Sequence, residues 1–388
     1  MSGPTAYLDH AAASPLDPRV RAAMLPFLDA DFGSPSSLHD WGRRPAEALE
    51  RARERVAALA GVDPEWVIFT SGATEARNLA IAGLMAGNRG LGRRIAATAI
   101  EHPATLAACR NAVREAGGLD TVPVDALGRA SPADLATAIC DETAVVAIVH
   151  GQPDIGTLQD LPALVAAARG TRPEARIVID AGETAGLVPL DIGTLGIDAC
   201  PVGGGSIGAP AWTGALLLRP GARLHPLLHG GLQEGGKRAG AEDLPGIVAL
   251  GVAAEIAGAE MAARSARMRA LTDRLRAGLL AVGDVRLNGH PTERIPGHVQ
   301  VSAGWVEGES LCLSLAARGV AVSPGSACTA HGGKAAPALE AIGLEPPWTH
   351  SAVLFTLRHT TTDAEVDYAV AAFAESVAAL RAMSPLGP

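Results

Sequence analysis

Lysine is almost missing from these 388 residues: Lys237 and Lys334 stand against 30 arginines. Chemistry that needs a primary amine on a flexible stem, imine formation above all, therefore has two residues to draw on. Positive charge is also in deficit. Asp and Glu total 41 against 32 basic residues, a net charge of -9, which argues against a nucleic-acid footprint. The five cysteines are odd in number and show no CxxC or Cys/His spacing, so neither a disulfide framework nor a metal site is expected. Free thiols in a reducing cytoplasm follow, with Cys109, Cys140, Cys200 and Cys312 as small core residues. Asp9 and His10 interrupt the start before a secretory signal can build. No segment is expected to reach the uncharged apolar length that spans a bilayer. What remains is the balance of a globular chain with a substantial core, 48% hydrophobic and 19% charged.

From Trp66 to Leu218 short apolar runs alternate with helical patterns, the mark of βα units on a mostly parallel sheet. Val67–Thr70, Arg94–Ala99, Ala144–Val149 and Arg176–Asp180 read as strands. A helix opens near Thr74, and another runs from Pro103 to Gly117-Gly118, proline in and glycine out. A third starts at Ser131-Pro132 with an N-cap. Gly246–Leu280 predicts a long connecting helix. Beyond it come strand His298–Ser302, helix Glu309–Arg318 and strand Val320–Ser323. Thr362 and Glu365 predict a capping box for a last helix with Val366, Val370, Phe373, Val377 and Leu380 on one face. This is an α/β fold: a large domain of residues 15–255, and a smaller α+β domain from 1–14 and 256–388.

Several runs carry chemistry. TSGATE from Thr70 places Ala73 and Thr74 at a helix start. EHPA holds His102, VIDAGE holds Asp180 and Glu183, and the Gly-rich GSACTA holds Cys328. YLDHAAASPLDP from Tyr7 and HGGLQEGGKRAGAED from His229 complete an ordered series. Together these resemble the cysteine desulfurase branch of the class V aminotransferases, which are fold-type I enzymes dependent on pyridoxal phosphate (PLP). The resemblance implies a mostly parallel sheet and a homodimer whose 229–243 loop enters the partner's site. It further implies that TSGATE is a phosphate loop whose backbone N–H groups hold the cofactor phosphate, that His102 stacks on the cofactor ring, Asp180 meets its nitrogen, and Cys328 carries persulfide.

The departures are as ordered as the matches. The family's Ser-x-His-Lys run reads Gly203-Gly204-Gly205-Ser206, so Ser206 occupies the imine-lysine position and offers only a hydroxyl. Glu183 replaces a glutamine, Pro153 an asparagine and Ala241 a phosphate-binding threonine. Leu354 replaces the arginine that holds the substrate carboxylate. The expectation drawn is that no cofactor is bound covalently and that PLP is doubtful. The pocket residues Ala73, Thr74, His102, Asp180 and Glu183 would then be vestigial.

Bland readings stand beside these. GGGSIG at Gly203–Gly208 matches GxGxxG, but Pro210 follows and no helix pattern opens from it, so a dinucleotide site is set aside. His102 and Asp180 can persist as a buried structural pair. A metal site of His102, His150 and Asp180 lacks ligand spacing. Cys328 is the strongest functional residue, with His331 and Lys334 nearby to favour its thiolate. Three functions remain. The first is a desulfurase-like protein that accepts or relays sulfur on Cys328, with His102 in support. The second is a pseudoenzyme scaffold for a true desulfurase, and the third a desulfurase or lyase with noncovalent PLP. The partners implied are a second copy and a sulfur-acceptor or desulfurase protein, with no nucleic acid and no membrane.

Overall fold

The structure is a computed structural model and describes residues 6–115, 117–324 and 336–384. Strand β1 (Ala6–Tyr7) precedes helices α1 (Pro18–Met24) and α2 (Asp40–Ala60). Then come β2 (Val67–Thr70), α3 (Ala73–Gly87), β3 (Arg94–Thr98), α4 (Pro103–Ala112), β4 (Gly118–Val122) and α5 (Pro132–Ala138). They are followed by β5 (Thr143–Val149), α6 (Leu161–Thr171), β6 (Arg176–Asp180), α7 (Ile192–Leu195), β7 (Ala199–Gly203), α8 (Gly204–Ile207) and β8 (Gly214–Leu218). Strands β2 to β8 form one seven-stranded sheet in the order β2-β8-β7-β6-β5-β3-β4. It is parallel except at β8, which runs antiparallel to both β2 and β7. All seven residues of β5 are buried, as a strand covered by helices on both faces must be.

After α9 (Leu244–Leu280) the chain forms β9 (Val285–Leu287), β10 (His298–Ala303), α10 (Gly308–Ala317), β11 (Val320–Ala321), α11 (Pro337–Ala341), β12 (Ala352–Thr356) and α12 (Asp363–Met383). β9, β10 and β12 make an antiparallel sheet in the order β12-β10-β9, and β1 pairs with β11. α9 joins two cores. Leu244, Ile247, Leu250 and Ala254 pack with Leu49, Ala52 and Val56 of α2. Leu271, Leu275 and Leu279 pack with Phe355, Phe373 and Val377. The capping box at Thr362 and Glu365 forms as expected, and Val366, Phe373 and Val377 are buried on one face of α12.

Four local expectations change. α4 stops at Ala112, because Gly118 already opens β4 in register with Arg94. Gly204–Ile207 does form one helical turn, closed by Gly208 at φ 90°. Cys140 is exposed beyond α5, while Cys109 and Cys200 are buried. α9 is long and apolar enough to cross a membrane by length and composition. Half of its most apolar stretch is buried inside the protein, which explains its composition as that of a core helix.

Candidate functional site

Parallel α/β sheets build their sites beyond the C-terminal ends of the strands, and that is where the candidate residues gather. β2 ends at Thr70, and Ser71 and Gly72 then turn the chain into α3. Gly72 takes φ 123°, a backbone conformation L side chains avoid, and no side chain caps the helix behind it. The leading N–H groups of α3 are thus left for a ligand. Ser71, Gly72, Ala73 and Thr74 line a cavity of about 310 Å³ together with His102, Glu183 and Ser206.

Asp180, at the end of β6, is 2% exposed and lies under this cavity's wall. Its Oδ2 accepts from Arg77 Nε at 2.7 Å and from Thr105 Oγ1 at 2.9 Å. Its Oδ1 accepts from the Gly182 N–H at 3.0 Å. Arg77, 3% exposed, also donates from Nη2 to Glu183 Oε1 at 3.2 Å. Burial alone would push the Asp180 carboxyl up, but the Arg77 charge and these bonds hold it below the ordinary range. His102 caps α4, its Nδ1 accepting the Ala104 N–H at 3.0 Å. Nδ1 is therefore unprotonated, and burial with the Arg77 charge lowers the ring's affinity for a second proton. Beneath them Glu101 is buried, with Oε1 accepting from Thr98 Oγ1 and the Val149 N–H, both at 2.6 Å. Burial pushes its carboxyl up to about 8.

Ser206 Oγ donates to the Gly203 carbonyl at 3.0 Å within the one-turn α8. A Cβ added at Gly205 would meet nothing within 4 Å, so the turn borders open space. Lys237 lines a different surface pocket, with Arg53 and Glu234. Leu354 is buried in β12, its backbone paired with Ser323 and Gln300, and it is not part of the cavity wall. Cys328 and Lys334 lie outside the described residues. The structure places His102 on the cavity wall and Asp180 behind it, bonded to the wall residue Arg77. Arg77 was missed, although an arginine in the otherwise apolar face of ATEARNLAIAG, three residues after Thr74, was the available signal. Arg358 and His298, both on the cavity wall, were missed as well.

An uncapped helix start, a cavity-lining histidine and a buried aspartate at the ends of parallel strands define a protein of the PLP-transferase type. The chain belongs to the class V aminotransferase family, whose model matches residues 6–369. It is 37% identical over 382 residues to a cysteine desulfurase IscS of Methanosarcina thermophila, covering 98% of this chain and 94% of that one. Among solved structures, a NifS-like protein matches with a TM-score of 0.90 at 29% identity, over 95% of this chain and 98% of that one. SspA in complex with cysteine matches with a TM-score of 0.81 at 26% identity, over 92% and 100%.

These findings correct one expectation. A chain that belongs to this PLP-binding family over nearly its whole length points to bound PLP, against the reading of no covalently bound cofactor and doubtful PLP. The physical reason is that the grip and the imine are separable. Backbone N–H groups at the α3 start suit a phosphate whatever side chains surround them, apart from that of Ser71, which donates to Glu75 Oε2 at 2.7 Å. The donor set and the open space beside Gly205 fit the cofactor.

Proposed function

We propose that this protein is a cysteine-desulfurase-like sulfur-transfer protein that holds PLP in the α3 cavity and carries sulfane sulfur on Cys328. One observation carries the reading: a single cavity gathers the α3 N-terminus, His102 and Glu183, with the Arg77–Asp180 pair behind it, while the β7–α8 turn presents the Ser206 hydroxyl. When bound, PLP supplies an electron sink for an amino-acid substrate. The chain's own residues do the rest. Gly72, Ala73 and Thr74 would hold the phosphate, while Ser71 is taken up by Glu75, and neutral His102 would cover the ring. Asp180 stays ionised with its charge balanced by Arg77, so this end of the cavity is less acidic than a lone buried aspartate would make it.

Sulfur loading needs no oxidant. The Cys328 thiolate attacks the outer sulfur of a donor persulfide, one S–S bond forms as another breaks, and the departing thiolate takes up the proton. The exposed Phe32 and Trp41, with ring centroids 5.7 Å apart, and exposed Leu38 support a homodimer. A reducing cytoplasm suits an exposed free thiol at Cys140.

The test incubates the protein with a sulfur-loaded desulfurase, then alkylates, digests and maps sulfane sulfur by mass spectrometry. Label is expected on Cys328 and absent from Cys328→Ser. Equal labelling of the other cysteines, Cys140 included, or unchanged labelling of Cys328→Ser, overturns the reading.

A further inference from the structure

The cavity holds a second arginine that the family pattern does not predict. β12 ends at Thr356, and the next residues, Leu357 and Arg358, continue along the cavity wall. The Arg358 guanidinium comes to rest at the β7–α8 turn. Its Nη2 donates to the Gly205 carbonyl at 2.5 Å and its Nε to Ser14 Oγ at 3.2 Å. Both acceptors are neutral, and no carboxylate pairs with Arg358 among the described residues. A largely enclosed cation without a counter-ion is costly unless something anionic completes it. Burial, and then the neighbouring Arg264 charge, pulls its pKa down to about 10. Arg294, 3% exposed, is satisfied within the protein: it donates to the carbonyls of His298, His290 and Ile155 and lines no part of this cavity.

His298, the first residue of β10, lines the same cavity. It is 7% exposed, and among the described residues neither ring nitrogen has a partner in good hydrogen-bond geometry. Burial, with Arg294 and Arg358 close by, lowers its pKa to about 4 against a smaller opposing pull from the Pro296 backbone, so near neutral pH it is uncharged and offers one N–H. A buried imidazole so weakly satisfied has a donor to give to an acceptor in the cavity.

We propose that Arg358 and His298 form an anion subsite that takes the carboxylate of a small amino acid. The proposal rests on the sulfur-transfer reading for the identity of that amino acid. A planar fork suits a carboxylate, and the α3 N-terminus already serves a phosphate elsewhere in the cavity. Leu354 lies off the cavity wall, so the carboxylate grip expected at that position has moved four residues along the chain. Arg358 and His298 are binding residues that fix the substrate's orientation and discriminate against amines lacking a carboxylate.

The test is calorimetric titration of the full-length protein, as purified, with L-cysteine, L-alanine and cysteamine. The wild type is expected to bind the two amino acids at least about tenfold more tightly than cysteamine, the usual worth of a charge-assisted fork. Arg358→Gln loses that preference, and Arg358→Lys keeps part of it. Circular dichroism establishes that each variant is folded. Should Arg358→Gln not fold, His298→Leu serves, and a loss of about threefold or more in the preference is expected of it. Cysteamine binding as tightly as L-cysteine in the wild type, or an undiminished preference in a folded Arg358→Gln or His298→Leu, overturns the proposal. The two readings fail separately. Arg358-dependent binding of L-alanine without sulfur on Cys328 upholds the subsite and refutes sulfur transfer. Sulfur on Cys328 with no carboxylate preference does the reverse.

Discussion

Replacing Arg77 by Met keeps the length and apolar stem of the side chain but removes the one cation paired with Asp180 among the described residues. Asp180 would retain Thr105 Oγ1 and the Gly182 N–H as donors, yet its charge would be buried without a counter-ion. Breaking a buried pair from one side costs about 3–5 kcal/mol, and the two surviving donors place Arg77→Met toward the lower end. The pH dependence is the sharper signature. In the wild type Asp180 sits below its ordinary pKa, so it contributes stability that is present above that value and lost as pH falls. In Arg77→Met burial is opposed only by the weaker remaining donors and raises the Asp180 pKa. The folded state then takes up a proton, and the variant loses stability as pH rises through the window above the ordinary carboxylate value. The gap between the two proteins should thus widen from pH 4 to pH 7. Urea unfolding followed by circular dichroism at several pH values reads this directly. A deficit under about 1 kcal/mol at pH 7, or one that does not change with pH, would refute the assignment of Arg77 as the counter-charge of Asp180.

Two further outcomes test other parts of the frame. Glu101, pushed up to about 8 by burial, is protonated in the folded state near pH 7, so the wild type loses stability as pH climbs from the ordinary carboxylate range toward 8. Glu101→Gln should keep the Thr98 and Val149 contacts and flatten that slope; an unchanged slope on thermal unfolding would show that Glu101 titrates normally. Glu234 accepts from Arg53 Nη1 and Nη2 at 3.0 and 2.9 Å and from the Phe69 N–H at 2.9 Å, tying the loop before α9 to β2. Glu234→Ala should cost about 2 kcal/mol or more and expose residues 229–243 to limited proteolysis, and a loop cut no faster than in the wild type would contradict this anchoring.

The fold was readable because its signals are local. Val67–Thr70, Thr143–Val149 and Arg176–Asp180 are apolar runs bounded by turns, and Pro103, Ser131 and Thr362 mark helix starts through chemistry that acts within four residues. The ends were less legible. α4 stops at Ala112 because β4 is claimed by pairing with β3, a contact that Gly117-Gly118 does not announce. The candidate site was readable where it repeats a family run and unreadable where it depends on distant partners. Arg77 and Asp180 are 103 residues apart, and only the α3 geometry beside β6 brings them to 2.7 Å. The idle nitrogens of His298 depend on what the packed structure fails to place beside them, and no sequence pattern encodes that.

The packed cavity also changes the meaning of the missing residues. Read along the chain, the loss of a lysine at Ser206 and an arginine at Leu354 looks like the dismantling of a site. In space the positive charge has not left. Arg77 and Arg358 bring two guanidiniums to the same cavity, one beside Asp180 and Glu183, the other at the Gly203–Gly208 turn where the family's lysine would stand. A guanidinium stays protonated and cannot serve as a free amine, so neither arginine supplies imine chemistry. Arg358 without a carboxylate and His298 without a well-placed partner among the described residues each cost stability that an apolar residue would spare. An anion in the cavity would offset both costs. On the proposed reading, a cavity that keeps these two guanidiniums is a pocket that binds rather than an emptied one.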